Sequence, residues 1–493
     1  MVLLEFIIGV ETNMKNEQSL PTFKRTSLMA VMLAGAFVAM LNQTLLNTAL
    51  PQIMKDLSIS VNTAQWLSTG FMLVVGVLIP VSAFLIEKFS TRRLFITAMC
   101  LFASGTLMAA IAPNFPVLLI GRIAQAVSDG LMLPLMQTIF LMIFPVKQRG
   151  AAMGMVGLVM AFAPAIGPTL SGWIVDNFSW RVLFYMILPI AVLIIIFASF
   201  MLENVTKVTH PKIDIMSIIL SSLGFGGLLY GFSSAGNNGW NSSEVVIALI
   251  VGTIAIGLFI WRQLTVEKPL LEFRVLKNWI FSLTLFIGMV VMVSMIGVEL
   301  FLPLYVQTAR GFTPLESGLL LLPGAIVMGV MSPIIGRIFD KIGARPLALI
   351  GSAILVGVTF LFSNMTASTP YIYMMVIYAI RMFGISLMMM PVMTVGLNQL
   401  PDHLIPHGTA ISNTLTQVAA SVGAALLVTV MTNNTADAVQ QKLPDPMVHG
   451  ASVAFTVSTV LAFFALVLSF FIKPMKTSQK KDTKDEGSPV TES

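Results

Sequence analysis

Four ionisable side chains, Arg122, Asp129, Glu299 and Arg381, fall deep inside long apolar runs of the sequence. A charge in hydrocarbon is costly, and it is retained chiefly where it moves an ion, takes up a proton or fixes a helix partner. Asp129 is the leading candidate for proton work. It follows Arg122 by seven residues, so on a helix both face one side, about 10.5 Å apart. That spacing is too long for a tight ion pair but lets each charge bias the other's protonation. Hydrocarbon favours the neutral acid and the guanidinium favours the ionised one. An acid held between these influences can load and release protons; the alternative is a permanently paired structural aspartate. Glu299 lies in the outer third of its run, where it either takes a proton or cation arriving from outside or reaches to the interface. Arg122 can assist proton transfer or bond backbone carbonyls, and Arg381 reads as the more structural of the two.

These four residues must be positioned by membrane-spanning helices. The chain has 493 residues, 56% of them apolar and only 10% charged, where an ordinary soluble protein has roughly a quarter charged. Apolar runs of about 20 residues, enough to cross the hydrocarbon, recur from about 28–50 to about 450–472 and predict fourteen spans. Most of the 28 lysines and arginines fall on the side that holds both termini, while the opposite side carries Lys55, Arg181, Arg310 and Lys442. That asymmetry places both termini in the cytoplasm, so the net charge of +6 is a topology signal and not a nucleic-acid footprint. Cys100, the single cysteine, lies within a span and is expected to act as a small buried hydrophobe. The apolar patch Val2–Val10 is too short to span and lacks a preceding basic region, so it is not read as a cleaved signal. Met14 opens a more typical polar leader.

Two passages repeat. Glu87, Lys88, Arg92 and Arg93 follow the second span, and Arg337, Asp340, Lys341 and Arg345 follow the tenth. Arg122 in span four has its counterpart in Arg381 of span twelve. Two related six-helix halves follow from this, 28–201 and 280–472. An inserted pair of spans lies in 202–279, with a leader at 1–27 and a charged cytoplasmic tail at 473–493. Such repeats place a substrate path at the interface between halves, near the bilayer midplane. The charged turns read as gates, with Glu87, Lys88, Arg92, Arg93, Arg337, Asp340 and Arg345 pairing with each other and with helix ends in one conformation only.

The same motifs carry a resemblance. Arg122 and Gln125 in span four, the run Ala163–Gly172 with Pro164, Gly167, Pro168 and Gly172, and Trp180-Arg181 resemble the major facilitator superfamily. Within it the chain is most similar to the fourteen-span drug:proton antiporters, the lincomycin-resistance-type exporters of Gram-positive bacteria. The resemblance implies an all-α fold of two six-helix bundles plus two central helices, multidrug efflux, and a span-five motif that bends its helix and suppresses a leak. The group commonly places an acid at the head of its span-one motif. Here that position is Asn42, which cannot titrate, in Asn42–Pro51. Proton coupling must then lie elsewhere, and Asp129 with Glu299 and Arg122 is the expected set.

A substrate surface is expected among the polar residues Asn42, Gln43, Asn47, Gln125, Gln137, Tyr305, Gln307, Asn398, Asn413 and Gln417, with flexible, polarisable methionines such as Met388–Met390. The histidines, with His210, His403 and His407 expected in cytoplasmic loops and His449 outside, suggest no metal site. There is no G-x-x-x-x-G-K-[ST] phosphate cradle and no G-x-S-x-G elbow. The expected protein is therefore a non-enzymatic, cofactor-free, monomeric antiporter of a bacterial cell membrane. It would exchange protons for small amphipathic or cationic drugs across the lipid bilayer, without nucleic acid. An exporter of an endogenous metabolite or signalling molecule, or a non-transporting membrane sensor, are the other readings.

Overall fold

The computed structural model describes residues 22–206, 208–209, 214–366 and 368–472. Residues 1–21 of the expected leader and the expected tail, with Lys207, His210 and Lys212, lie outside the described residues, while residues 22–27 of that leader belong to the first helix. Fourteen helices among the described residues are long and apolar enough to cross a membrane. They are α1 (Thr22–Leu57), α2 (Val61–Lys88), α3 (Thr91–Ala110), α4 (Phe115–Ile143), α5 (Arg149–Asn177), α6 (Arg181–Met201) and α7 (Ile215–Asn238). After them come α8 (Ser243–Thr265), α9 (Trp279–Leu304), α10 (Pro314–Ile342), α11 (Ala344–Ser363), α12 (Tyr371–Leu397), α13 (Ile405–Gln440) and α14 (Pro446–Ser469). An even number of crossings leaves residues 22 and 472 on one side, called here the termini face.

Local chemistry sets the helix ends. Ser60, Asn114 and Asp214 each accept a hydrogen bond from the backbone N–H three residues on, at the starts of α2, α4 and α7. Thr313 and Glu316 form a reciprocal capping box before α10. Gly343 joins α10 to α11 at φ +81°, a left-handed conformation that a side chain resists. Helix α13 runs on to Gln440.

Helix pairing repeats with an offset of eight. The pairs α1–α5, α1–α6, α2–α4, α3–α4 and α3–α6 recur as α9–α13, α9–α14, α10–α12, α11–α12 and α11–α14. These are two six-helix bundles. They meet along α5–α10 and along α2–α13, and the α7–α8 hairpin packs through α7 on both α2 and α13. Large apolar side chains such as Phe200, Trp261 and Ile372 stay exposed on the outer surface, as helices bordered by lipid require. Cys100 is exposed on α3, contrary to expectation; a thiol can face hydrocarbon at little cost, so its burial is not enforced.

The inserted hairpin is tied at the termini face. Asp214 caps α7 and takes a bidentate hydrogen bond from Arg262, at 2.8 and 2.9 Å. Arg262 holds this carboxyl down at about 2, against about 3.9 in an unfolded chain. A depressed carboxyl stabilises the fold above its unfolded value, so the contribution is lost as pH falls from about 4 to about 2. Asp214→Ala is expected to cost about 1 kcal/mol as a lost cap. Thermal unfolding of the detergent-solubilised protein should show a lower midpoint at pH 7 and little difference from wild type below pH 2.

Candidate functional site

The two halves are closest at the termini face. There α5 and α10 cross almost backbone to backbone: a Cβ on Gly336 would stand 2.2 Å from the Gly150 carbonyl oxygen. The Asp340 carboxylate accepts from the N–H groups of Gly150 and Ala151, at 2.8 Å each, at the first turn of α5. These are the unpaired donors that every helix start presents. Arg149 beside them donates to Asn398 at 3.0 Å and to Asp402 at 3.3 Å.

A second closure lies where α2 meets α13. His407 is buried in the first turn of α13, not in a loop, because the helix begins at Ile405. Its Nδ1 accepts from the Glu272 N–H at 3.3 Å, so the ring proton sits on Nε2 and is donated to Glu87 at 2.9 Å. Thr138 and Thr409 hydrogen-bond across the halves at 2.8 Å, and Asn413 Nδ2 donates to Gln137 Oε1 at 2.7 Å. Towards the opposite face this closeness ends. A Cβ on Gly172 of α5 or on Gly318 of α10 would meet nothing within 4 Å among the described residues.

Not every expected gating residue crosses the interface. Arg92 donates to the Ser199 carbonyl and its N–H to Asn204, both within the first six helices and the loop that follows them. The Lys88 ammonium lies over the Phe84 and Phe89 rings of its own helix end. Arg93 is exposed, and Arg337 and Arg345 are partly buried at the termini end of the second half. Sequence reasoning missed His407 and Arg149; their register against Glu87 and Asp402 depends on how the halves dock.

Above this closure lies a cavity of about 120 Å³. Seven methionines line it: Met160, Met292, Met295, Met388, Met389, Met390 and Met393. Gln137, Asn413 and Gln417 supply its amides, with Thr284, Ser412 and Thr416, and none of its lining residues is acidic or basic. Of the expected polar cavity residues, Asn413, Gln417 and Gln137 are there, and the expected Met388–Met390 line it as well. Asn42 and Gln125 are instead buried around Arg122, whose Nη1 donates to the Asn42 carbonyl at 3.4 Å and to Gln125 Oε1 at 2.9 Å. Gln125 is held away from the cavity because Arg122 and Thr106 take both ends of its amide, Nε2 donating to Thr106 at 2.8 Å, while Asn42 meets the guanidinium only through its backbone carbonyl and its buried Nδ2 has no partner among the described residues. Gln43 is half-buried on α1 outside the lining. Tyr305 donates its hydroxyl to the Thr366 carbonyl, and Gln307 sits in the widened turn after α9, both too near the far end to take part. Asn398 is held by Arg149. The Asn47 side chain lies outside the described residues.

The two buried arginines occupy corresponding places in the two bundles. Arg122 of α4 reaches a carbonyl of α1, and Arg381 of α12 reaches the Ser294 carbonyl of α9 at 2.6 Å. The Arg122 guanidinium also covers the Phe71 ring at 4.3 Å. Each therefore ties the fourth helix of its bundle to the first, and each has an acid within electrostatic reach, Asp129 for Arg122 and Glu299 for Arg381. Asp129 lies at the middle of α4, and no hydrogen bond reaches its carboxylate among the described residues. It stands one turn, about 6 Å, before Leu133, and Leu133 and Gln137 line the cavity on the same stripe. Glu299 stands one turn beyond the cavity residue Met295 on α9, nearer the far face.

The span-five motif lies where α5 meets α1. A Cβ on Gly167 would stand 2.0 Å from Thr44 Oγ1, so only glycine admits α1 at that distance. Ser171 then donates to the Leu45 carbonyl at 2.5 Å, and Pro164 and Pro168 lie within the helix. Each proline removes one backbone donor from the helix ladder.

Two paired bundles around a central cavity, sealed on one face by contacts that reversible docking could break, define a multi-pass membrane transporter. The chain belongs to the Major Facilitator Superfamily, whose sequence pattern matches residues 32–424. It is 55% identical over 460 residues to the uncharacterized MFS-type transporter YcnB of Bacillus subtilis (strain 168), covering 93% of this chain and 98% of that one. It is 43% identical over 456 residues to the lincomycin resistance protein LmrB of Listeria innocua, covering 91% and 97% respectively. Its fold matches the proton:xylose symporter XylE with a TM-score of 0.63 at 14% identity, over 91% of this chain and 96% of that one. The chain is thus a membrane transporter and not an enzyme.

Proposed function

We propose that this transporter is a proton-coupled antiporter that exports amphipathic drugs from the cytoplasm of a bacterium by alternating access. The observation that carries the reading is the methionine-lined cavity between the halves with Asp129 one helical turn away on the same stripe of α4. Methionine side chains repack around varied apolar shapes, which suits a broad substrate range. The similarity to a lincomycin resistance protein supports an antibiotic cargo. On this reading the basic termini face is cytoplasmic, and the arrangement described is the one closed to the cytoplasm. No cofactor enters the cycle, and a single chain carries it out.

The proton gradient is sufficient to drive such export. One proton moving down about 150 mV releases roughly 3.5 kcal/mol, enough for a few hundred-fold gradient of a neutral substrate. One-for-one exchange against a monovalent cation cancels the electrical part, and a second titrating acid, Glu299, restores it. In everted membrane vesicles holding a preformed pH gradient, adding lincomycin or a cationic dye is expected to dissipate the gradient within seconds to minutes. A broad drug panel that leaves the gradient unchanged would overturn the proposal.

A further inference from the structure

The cavity floor suggests how substrate is released. Gln137 and Asn413 both line the cavity and belong to opposite halves, on α4 and α13. Their amides are bonded to each other at 2.7 Å. The remaining amide atoms are poorly used. Gln137 Nε2 has only the Met393 sulfur at 3.9 Å, a weak acceptor, and Asn413 Oδ1 has no hydrogen-bond donor among the described residues. A primary amide offers two donor hydrogens and two acceptor lone pairs, so the pair retains capacity facing an otherwise largely apolar cavity.

We propose that Gln137 and Asn413 form the hydrogen-bonding clamp for an uncharged or weakly charged substrate edge, and that their pairing with each other on closure of the termini face ejects that substrate. The inference rests on the export reading above and names the chemistry recognised. The ligand carries an apolar body and one edge with adjacent donor and acceptor, such as an amide or vicinal hydroxyls. When the halves separate at the termini face, both amides are free to pair with that edge. When the halves close, Gln137 Oε1 takes the Asn413 Nδ2 hydrogens instead, and the ligand loses its two polar partners together. A polar ligand edge without partners in an apolar cavity is destabilised. Affinity thus alternates between the two states through the same two side chains. The Thr138–Thr409 bond, one residue along α4 and one turn along α13, closes in the same motion.

Two measurements on the full-length protein in everted vesicles test this. In a Cys100→Ser background carrying Ser412→Cys, a membrane-impermeant maleimide is added from the exposed termini face, without any ligand. Gln137→Leu or Asn413→Leu is expected to raise the labelling rate severalfold, because the closed state has lost a cross-half bond. The reciprocal exchange Gln137→Asn with Asn413→Gln should restore the wild-type rate within about threefold. Radiolabelled lincomycin, which bears an amide and vicinal hydroxyls, then reports binding. Each leucine variant should weaken its binding about tenfold, and the exchange should recover most of it. Unchanged labelling in both leucine variants overturns the clamp whatever the ligand. Wild-type lincomycin binding that the leucine variants retain overturns it also, while leaving the export reading intact. If the wild type dissipates no gradient with any drug, the export reading fails first, and the clamp fails with it.

Discussion

Asp129→Asn is expected to abolish proton-coupled efflux, lowering drug-driven dissipation of a pH gradient at least tenfold, while the protein still inserts and folds. The carboxylate stands at the middle of α4, where an acid costs about 2.5–3.5 kcal/mol on insertion scales. It receives no hydrogen bond among the described residues, so its amide isostere breaks no visible contact. The substitution removes the proposed proton-carrying group and preserves shape. Asp129→Glu keeps the acid and should retain partial coupling. Glu299→Gln should cost less, because Glu299 lies near the far end of α9 whereas Asp129 lies at the middle of α4. Vesicle assays of the three variants beside matched expression levels decide the order. Full pH-dependent efflux in Asp129→Asn, with loss in Glu299→Gln alone, would reverse the ranking and shift the coupling to the second half.

The second large effect is mechanical. Gly336→Ala places a methyl group 2.2 Å from the Gly150 carbonyl oxygen and 3.2 Å from the Ala151 Cα. Both are backbone atoms and cannot swing aside, as the end of a flexible side chain could. Helices α5 and α10 must separate, and the two 2.8 Å bonds from Gly150 and Ala151 to Asp340 lengthen with them. The arrangement closed at the termini face is expected to be lost, while a proposed open arrangement with these helices apart would not meet this clash. Efflux should fall at least tenfold with normal membrane insertion, and a cysteine reporter in the cavity should label faster from the termini face. Asp340→Asn leaves one acceptor oxygen for the two donors and should cost less. Normal transport by Gly336→Ala would show that this backbone contact is not part of the cycle.

The gating motifs show how far sequence reading reaches. Asp340 could be marked as a charge in a short turn between spans, yet its partners are two backbone N–H groups almost 200 residues earlier. No side-chain pattern announces a backbone partner. Glu87 was legible as an acid of the repeated motif, but His407 was not legible as its partner, since a lone histidine at a span end carries no signal of what faces it. The amides behave alike. Asn42, Gln125, Asn413 and Gln417 are equivalent as polar residues in apolar runs, and only packing distinguishes those buried around Arg122 from those facing the cavity.

By itself the sequence determined the fourteen spans, the doubling of a six-helix unit and the four charges kept within it. Each depends on short-range quantities: apolar length against bilayer thickness, the side on which bases fall, and the energy of a charge in hydrocarbon. The tertiary structure decided which amides meet across the cavity floor, that Asp129 and Glu299 each stand one turn from its lining, and that the closed face is the one holding the termini. Those outcomes depend on the rotation and docking of helices from opposite halves. Bilayer thickness and hydropathy leave these free, and close packing of glycines such as Gly150 and Gly336 settles them.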